Sequence, residues 1–459
     1  MTRTYNFLAP SLYPNTLVDI SFPKPTIGVV NVSPADPVIH HLPVKYGEHN
    51  ALGGVRKMVD LGDNKAVVAD DKFQISTLEL SSIGTEIPSP PIITSQESVK
   101  ARSNDVWAGL VPVEKYDLCK PPDSVNVDDF FSGTVSALTS GLLTFHPSSG
   151  SSSSSRSVSS PLACLASTSL APNQFALGGK EVDVSIWDVE RTFASSSDSP
   201  MVDAGKRKKN ALEPGQIWQA KNMPNNYLKL RPPVHHLALS WLNSPYALVS
   251  GTKMGTVRRF DTRQRKPVAD LKVAREGGVA CLIPGEENEL FFSDRSNYLG
   301  ALDLRTGKVL YSYSSLTATP HHLLAISPET SSPLPPSTKR IGFASVSSDA
   351  SIRLHTCTTP PPQDQKGNWA SEGKKGDIVG MVGGIGLGGA VFRGYGEREL
   401  EVRKEMKEDG VGEDESDDEE EMWEGMDEVE DAGEGSDSDE GDYDSEEDAP
   451  KKKSKRSRL

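Results

Sequence analysis

The stretch "ALGGKEVDVSIWDV" occupies 176–189, and "LVSGTKMGTVRRFDTR" occupies 248–263. Each is a short apolar run, a polar or glycine-containing turn, and a second strand that ends in a large residue followed by Asp. "LFFSDRSNYLGALDLR" (290–305) and "FASVSSDASIRLHT" (343–356) follow the same plan. The ends are Trp187-Asp188, Phe260-Asp261 and Leu302-Asp303, with His355 in the large position of the fourth. Upstream, "LTSGLLTFH" (138–146) places His146 there, and the weaker "VVADDKFQISTL" (67–78) places Ser76.

The spacing supports a repeat. His146 to Trp187 is 41 residues, Phe260 to Leu302 is 42, and Leu302 to His355 is 53, which an eleven-residue insertion at 329–339 reduces to 42. A preceding strand recurs as "LACLA" (162–166), "HHLAL" (235–239), "VACLI" (279–283) and "HHLLAI" (321–326). Cys164 and Cys281 stand at matching points and read as small buried fillers.

A period of about 40–45 residues with four strands per unit and a large-residue–Asp ending is the WD-repeat signature. One such unit cannot bury both faces of its sheet; radial stacking buries them and leaves only short edges. The sequence therefore predicts an all-β fold, a WD-repeat β-propeller with seven blades. Six units are visible. "TIGVVNV" (26–32) is expected to begin the seventh, with the two ends of the chain pairing to close the ring. Most units lack a Gly-His step, so hydrogen-bond networks around that His are expected to be missing.

Composition sets the boundaries. The propeller is expected over 1–357, with low-complexity insertions near 82–101, 148–161, 193–214 and 329–339. Ser148–Pro161 holds ten serines and is expected to stay disordered. A Gly/Pro/Lys-rich linker with a short charged helix follows over 358–407, then an acidic disordered tail over 408–449 and a basic segment over 450–459. The net charge of -15 belongs to that tail: Glu408–Asp448 carries 24 acids and no Lys or Arg. With the six terminal basic residues also removed, positions 1–407 hold 43 basic and 40 acidic residues. The body is nearly neutral.

Four scattered cysteines form no CxxC and read neither as a disulfide framework nor as a zinc site. No signal-like segment and no run of 18 apolar residues is present, so a soluble protein of the cytosol or nucleus, without membrane contact, is expected. The pairs His40-His41, His235-His236 and His321-His322 invite a metal reading, but adjacent strand residues point to opposite faces. They read as strand-edge histidines. "GGIGLGG" (383–389) contains Gly384-x-Gly386-x-x-Gly389, yet neither a βαβ unit nor a folded acidic partner follows. It reads as a flexible linker. No phosphate loop or nucleophile elbow appears, so no enzyme, cofactor or metal is expected.

Lys451, Lys452, Lys453, Lys455, Arg456 and Arg458 form a nuclear-localisation patch without interleaved aromatics. Ser416, Ser436 and Ser445 each have an acid three residues on and are expected sites of acid-directed phosphorylation. The tail itself reads as a solvated segment or as a mimic of nucleic-acid charge.

"GQIWQAKNMPNNYLKLRPPV" (215–234) crowds aromatics, amides and cations between Gly and Pro. It leads into "HHLAL", so it connects blades, with Leu228, Leu230 and Trp218 as expected anchors. Lys221, Asn222, Asn225, Asn226 and Arg231 are then presented to a partner or hold the loop's own backbone. Lys180 and Glu181, in "GGKE", are further partner-binding candidates.

Three stretches together resemble one family, the Nsa-type WD-repeat assembly factors of the large ribosomal subunit (the WD-repeat protein seventy-four family). "GGKEVDVSIWD" (178–188) resembles its Gly-Gly-Lys-Glu and Trp-Asp strand end. "QAKNMPNNYLKLRPPV" (219–234) is similar to its Ala-Lys-Asn, Asn-Asp-Trp-Leu-Asp-Leu-Arg and Pro-Val segment, and "GALDLRTG" (300–307) to its Asp-Leu-Arg turn. The chain departs at Asn226-Tyr227 and at Lys229, which replaces an acid. The likeness covers 130–360 well and the N-terminal third poorly. It implies a nucleolar, non-enzymatic scaffold on pre-60S (pre-66S) particles that supports rRNA processing. Implied partners are other assembly factors, pre-ribosomal RNA, an AAA-type ATPase that removes it, the nuclear exosome helicase and a nuclear import receptor. The competing readings are a chromatin or histone-handling propeller that uses the acidic tail, and a small-molecule or enzymatic propeller.

Overall fold

The computed structural model describes residues 2–24, 36–83, 87–115, 131–148, 152–194, 212–225, 227–286, 288–314, 316–326, 339–358 and 376–398. These form seven four-stranded antiparallel sheets, so the propeller read from the repeat has seven blades. The first blade joins β1 (Thr2–Pro10), β2 (Thr16–Pro23) and β3 (Val38–Pro43) to the last strand, β28 (Val391–Arg398). The second is β4 (Val55–Gly62), β5 (Lys65–Asp70), β6 (Gln74–Glu79) and β7 (Ile92–Ser98). The third is β8 (Trp107–Lys115), β9 (Phe131–Leu138), β10 (Leu142–Pro147) and β11 (Ser154–Ser157). The fourth is β12 (Leu162–Ser167), β13 (Gln174–Gly179), β14 (Ser185–Asp188) and β15 (Gln216–Gln219), with the short helix α1 (Val189–Phe193) before β15. The fifth is β16 (His236–Trp241), β17 (Ala247–Thr252), β18 (Thr256–Asp261) and β19 (Ala269–Lys272). The sixth is β20 (Val279–Pro284), β21 (Glu289–Asp294), β22 (Leu299–Asp303) and β23 (Lys308–Ser312). The seventh is β24 (Pro320–Ala325), β25 (Lys339–Ser347), β26 (Ser351–Thr358) and β27 (Ile378–Gly383).

The core lies between blades. Alternate residues of a strand point to opposite faces, so each middle strand feeds two interfaces. Phe291 packs toward the seventh blade with Phe343 and Leu323, while its neighbour Phe292 packs toward the fifth with Val249 and Val257. Phe7 faces the seventh blade and Leu8 the second. Seven apolar clusters result, one per blade interface. This is why β21 and β26 are buried along their whole length.

The ring closes through the chain ends, as the repeat count required. The C-terminal β28 is the innermost strand of the first blade and pairs with β1 from Thr2↔Arg398 to Leu8↔Val391. Tyr395 packs edge-on against Tyr5, with ring centroids 5.3 Å apart, and Phe392 lies 5.3 Å from Phe7. The 26–32 stretch expected to start this blade does not: β1 and β2 precede it in the chain, and the stretch itself lies outside the described residues.

Several boundaries differ from those expected. The linker expected at 358–407 supplies both β27 and β28, so the propeller runs to Arg398 rather than 357. The expected charged helix begins inside β28; its remainder lies outside the described residues. "GGIGLGG" is a packed crossing rather than a flexible linker. Ile385 is fully buried, its N–H donates to the Ala350 carbonyl at 3.0 Å, and the Gly386 N–H donates to Pro10 O at 2.7 Å. Nε2 of His321 and of His322 lies 3.1 and 3.2 Å from the carbonyls of Leu387 and Ala390. A carbonyl only accepts, so both rings carry their proton on Nε2. A Cβ on Gly388 would strike the Val55 carbonyl, which is why glycine stands there. Gly388→Val is expected to cost about 1–3 kcal/mol through overpacking, read as a lowered urea midpoint.

The insertion near 82–101 contains β7, and the serine-rich 148–161 contains β11. Outermost strands bury little, so these segments lack an apolar run and still pair. β11 alternates half-buried and exposed residues, ladders onto β10, and places the Arg156 guanidinium 5.6 Å from the Trp187 ring. The insertions near 193–214 and 329–339 lie largely outside the described residues.

Candidate partner-binding site

Trp187, Phe260 and Leu302 sit at the ends of β14, β18 and β22 and are almost wholly buried. Each following Asp holds the turn beyond it. Asp188 accepts from the Arg191 N–H at 2.9 Å and caps α1. Asp261 pairs with Arg263 at 2.6 Å, which holds its carboxyl down at about 2; Asp303 pairs with Arg305 at 3.1 Å. Ser76 is buried on β6.

The histidines are structural too. His355 shares a hydrogen bond with Ser345 at 2.7 Å and stacks on Phe343 at 4.7 Å; burial lowers its pKa to about 3. His146 bridges Ser136 at 3.1 Å and Glu97 of the neighbouring blade at 2.8 Å. His236 shares a hydrogen bond with Ser250 at 3.0 Å, a single bond made without a preceding Gly-His step. Blades two and six use an acid at the end of their second strand instead. Asp70 accepts from the N–H groups of Gly53, Lys72 and Gln74, and Asp294 from those of Arg275 and Ser296. Short polar side chains before a turn do this readily, and an acid at the strand end is the signal in the sequence that marks both positions. Among the described residues no three His, Cys, Asp or Glu side chains gather into a metal-binding group. No described helix is long and apolar enough to cross a membrane.

The two motifs of the fourth blade meet in space. "GGKE" ends β13 and turns toward β14. A Cβ on Gly179 would strike the Pro161 carbonyl, so the glycine is required by close approach. Lys180 bridges to His235, and the Glu181 N–H donates to Val234 O at 2.9 Å with Glu181 in the left-handed region at φ 57°. Val234 closes the 215–234 segment. The turn and the connection are therefore one hydrogen-bonded unit at the junction of blades four and five.

The connection is tied at both ends. Trp218 is buried against Phe260 and donates Nε1–H to Gln264 O at 3.2 Å. The Lys221 N–H donates to Arg265 O at 2.7 Å, and Arg265 Nε donates back to Gln219 O at 2.9 Å. Asn222 braces the loop: its Nδ2 donates to Pro232 O at 2.8 Å, and its Oδ1 accepts from the Met223 N–H at 2.8 Å.

Leu228 and Leu230 are not anchors. They are 59% and 60% exposed, and Tyr227 between the amides and Leu228 is 92% exposed. Lys229 takes a left-handed φ of 59°, which turns the chain outward at this tip. Trp218 alone of the three expected anchors is buried. Lys180, Glu181, Lys221, Asn225 and Arg231 are exposed, and Asn226 lies outside the described residues. Beside the loop opens a cleft of about 490 Å³ whose lining includes Asp183, Lys221, Asn222, Arg265 and Lys266. Burial pushes the Asp183 carboxyl up, and Arg231 leads the nearby cations that oppose this. Lys451, Lys452, Lys453, Lys455, Arg456, Arg458, Ser416, Ser436 and Ser445 lie outside the described residues.

Fold and repeat chemistry together define a WD-repeat β-propeller protein. No family profile matches the chain. It is a distant homologue of WD repeat-containing protein 74 from Bos taurus, 26% identical over 197 residues, or 42% of this chain and 43% of that protein. It is likewise related to ribosome biogenesis protein NSA1 from Meyerozyma guilliermondii, 29% identical over 130 residues, or 28% of this chain and 30% of the other. The chain thus spans less than half the length of the curated relatives it matches. These are members of the family that the fourth-blade motifs resemble. Among solved structures, the WD40 β-propeller domain of Doa1 overlays with a TM-score of 0.44 and 10% identity, covering 72% of this chain and 82% of that one.

Proposed function

We propose that this chain is a non-enzymatic scaffold in biogenesis of the large ribosomal subunit, acting in the nucleolus on precursor particles. The observation that carries the reading is the homology to NSA1 and WD repeat-containing protein 74. It is supported by the convergence of "GGKE" and the 215–234 connection on one surface, because loops on a rigid scaffold are where binding is built. Lys180, Glu181, Lys221, Asn225 and Arg231 form that partner surface, and Asn222 braces it. Neighbouring assembly factors and pre-ribosomal RNA are the proposed partners. An AAA-type ATPase releases the protein, and the nuclear exosome helicase and an import receptor are further contacts.

Purification of the tagged full chain, followed by sucrose-gradient sedimentation and sequencing of bound RNA, tests this. Co-sedimentation with large-subunit precursor RNA is expected. Recovery only as a free complex with histones would sink it in favour of chromatin work through the acidic tail. Removing 450–459 is expected to shift a fluorescent fusion out of the nucleus by withdrawing six cations. Unchanged nuclear intensity would refute the localisation role.

A further inference from the structure

We infer that the junction of blades four and five is a docking cleft for an acidic peptide segment with apolar anchors, carried by a protein partner rather than by RNA. This rests on the reading of 215–234 as a partner surface and names the chemistry of its occupant. Three observations converge.

The first is charge. Lys221, Lys229, Arg231, Arg265 and Lys266 are all exposed on the loop and the adjoining β18–β19 turn. Two neighbouring arginines already have carboxylate partners: Arg258 of β18 meets Asp270 at 3.3 Å, and Arg263 of the turn meets Asp261. The body of the chain is nearly neutral, so this concentration is local. It draws in carboxylates.

The second is apolar exposure. Tyr227, Leu228 and Leu230 stand out from the loop tip within four residues. Scattered exposed apolar residues need no account, but three grouped within four residues do. The base of the loop is held by Asn222, by the Lys221–Arg265 backbone bond and by the Glu181–Val234 bond. Bracing at the base lowers the ordering entropy that binding must overcome.

The third is the cleft floor. Asp183 lies among the cations and lines the cleft. A carboxylate there accepts a hydrogen bond from a peptide N–H, while the cations around it take the peptide's acidic side chains. A single aromatic, Tyr227, offers one stacking platform, while the two leucines offer none. Leucines instead receive apolar side chains. The surface therefore suits a peptide in which Glu or Asp alternates with Leu, Phe or Met.

The test uses the full chain and two labelled probes in fluorescence anisotropy: a peptide of about twelve residues alternating Glu with Leu and Phe, and a uridine oligonucleotide of equal length. The peptide is expected to bind and to weaken at high salt, since exposed cations are screened. Leu228→Ala with Leu230→Ala is expected to weaken it about tenfold or more, with the thermal melt unchanged because both residues are exposed. Arg265→Glu with Lys266→Glu is expected to do the same. A polyglutamate probe that binds as well as the mixed peptide would overturn the apolar component. Tighter binding by the oligonucleotide would overturn the proposal in favour of RNA. Gradient sedimentation of the Leu228/Leu230 variant separates the two readings. If peptide binding is lost but the variant still sediments with precursor particles, the cleft chemistry stands and its use in the particle fails. If peptide binding never occurs, the cleft chemistry fails, whatever the particle does.

Discussion

Ending the chain after Thr358, one residue past the boundary composition suggests and at the end of β26, is expected to abolish cooperative unfolding, whereas ending it after Val402 leaves the melt intact. The shorter form lacks β27, β28 and the crossing between them. It loses Val382, Ile385 and Val391, all buried in the clusters on either side of the first blade. At about 1.5–3 kcal/mol for each buried side chain, these three alone contribute about 5–9 kcal/mol. A domain's whole stability is about 5–15 kcal/mol. The truncation also strips β1 of its pairing from Thr2 to Leu8 and leaves an open edge in an apolar strand. Circular dichroism melts of the two forms decide the matter. A sharp transition in the shorter form would contradict the closing role of β28.

The second large effect is one of pH. Glu289 is fully buried at the start of β21. Tyr311 donates its hydroxyl to Oε1 at 2.8 Å, while Oε2 has no hydrogen-bond partner among the described residues. Burial is the main force on the carboxyl and raises its pKa from 4.5 to about 7; the nearby Arg340, itself paired with Glu286 at 3.0 Å, opposes this. A group with a raised folded-state pKa holds its proton longer in the fold than in the open chain. Its contribution is complete below about 4.5 and is lost as pH climbs through about 7. The difference corresponds to about 3 kcal/mol. Urea unfolding is therefore expected to show falling stability between these limits for the native chain. Glu289→Gln keeps an acceptor for Tyr311 and removes the titration, so it flattens the slope and is the more stable form at pH 8. Parallel slopes in the two proteins would show that other groups govern the pH response.

The blades were legible where sequence and burial coincide. The hairpins ending in Trp187, Phe260 and Leu302 announce themselves because both strands are buried and an Asp fixes the turn. Innermost strands such as β12 carry an apolar face and recur at matching points, so they also stood out. Outermost strands did not. β7 and β11 are held by ladder bonds and a few side-chain contacts, and their serines and threonines look like linker. The glycines before β28 signify tight crossing in this protein, but by composition they resemble slack. At the candidate site, Trp218 was readable as an anchor from its size. Leu228 and Leu230 mislead for the same reason: apolarity suggests an interior, yet both face solvent, on either side of a left-handed Lys229.

The way the ring is sealed also carries a cost in time. β1 ends at Pro10 and its innermost partner ends at Arg398, so a ribosome must add 388 residues before the first blade is whole. At about 5–20 residues per second this is roughly 20–80 s. Throughout that interval a strand bearing Tyr5, Phe7 and Leu8 waits with one edge unpaired. The nascent chain therefore carries an aggregation-prone edge for most of its synthesis, a hazard that the finished ring no longer shows.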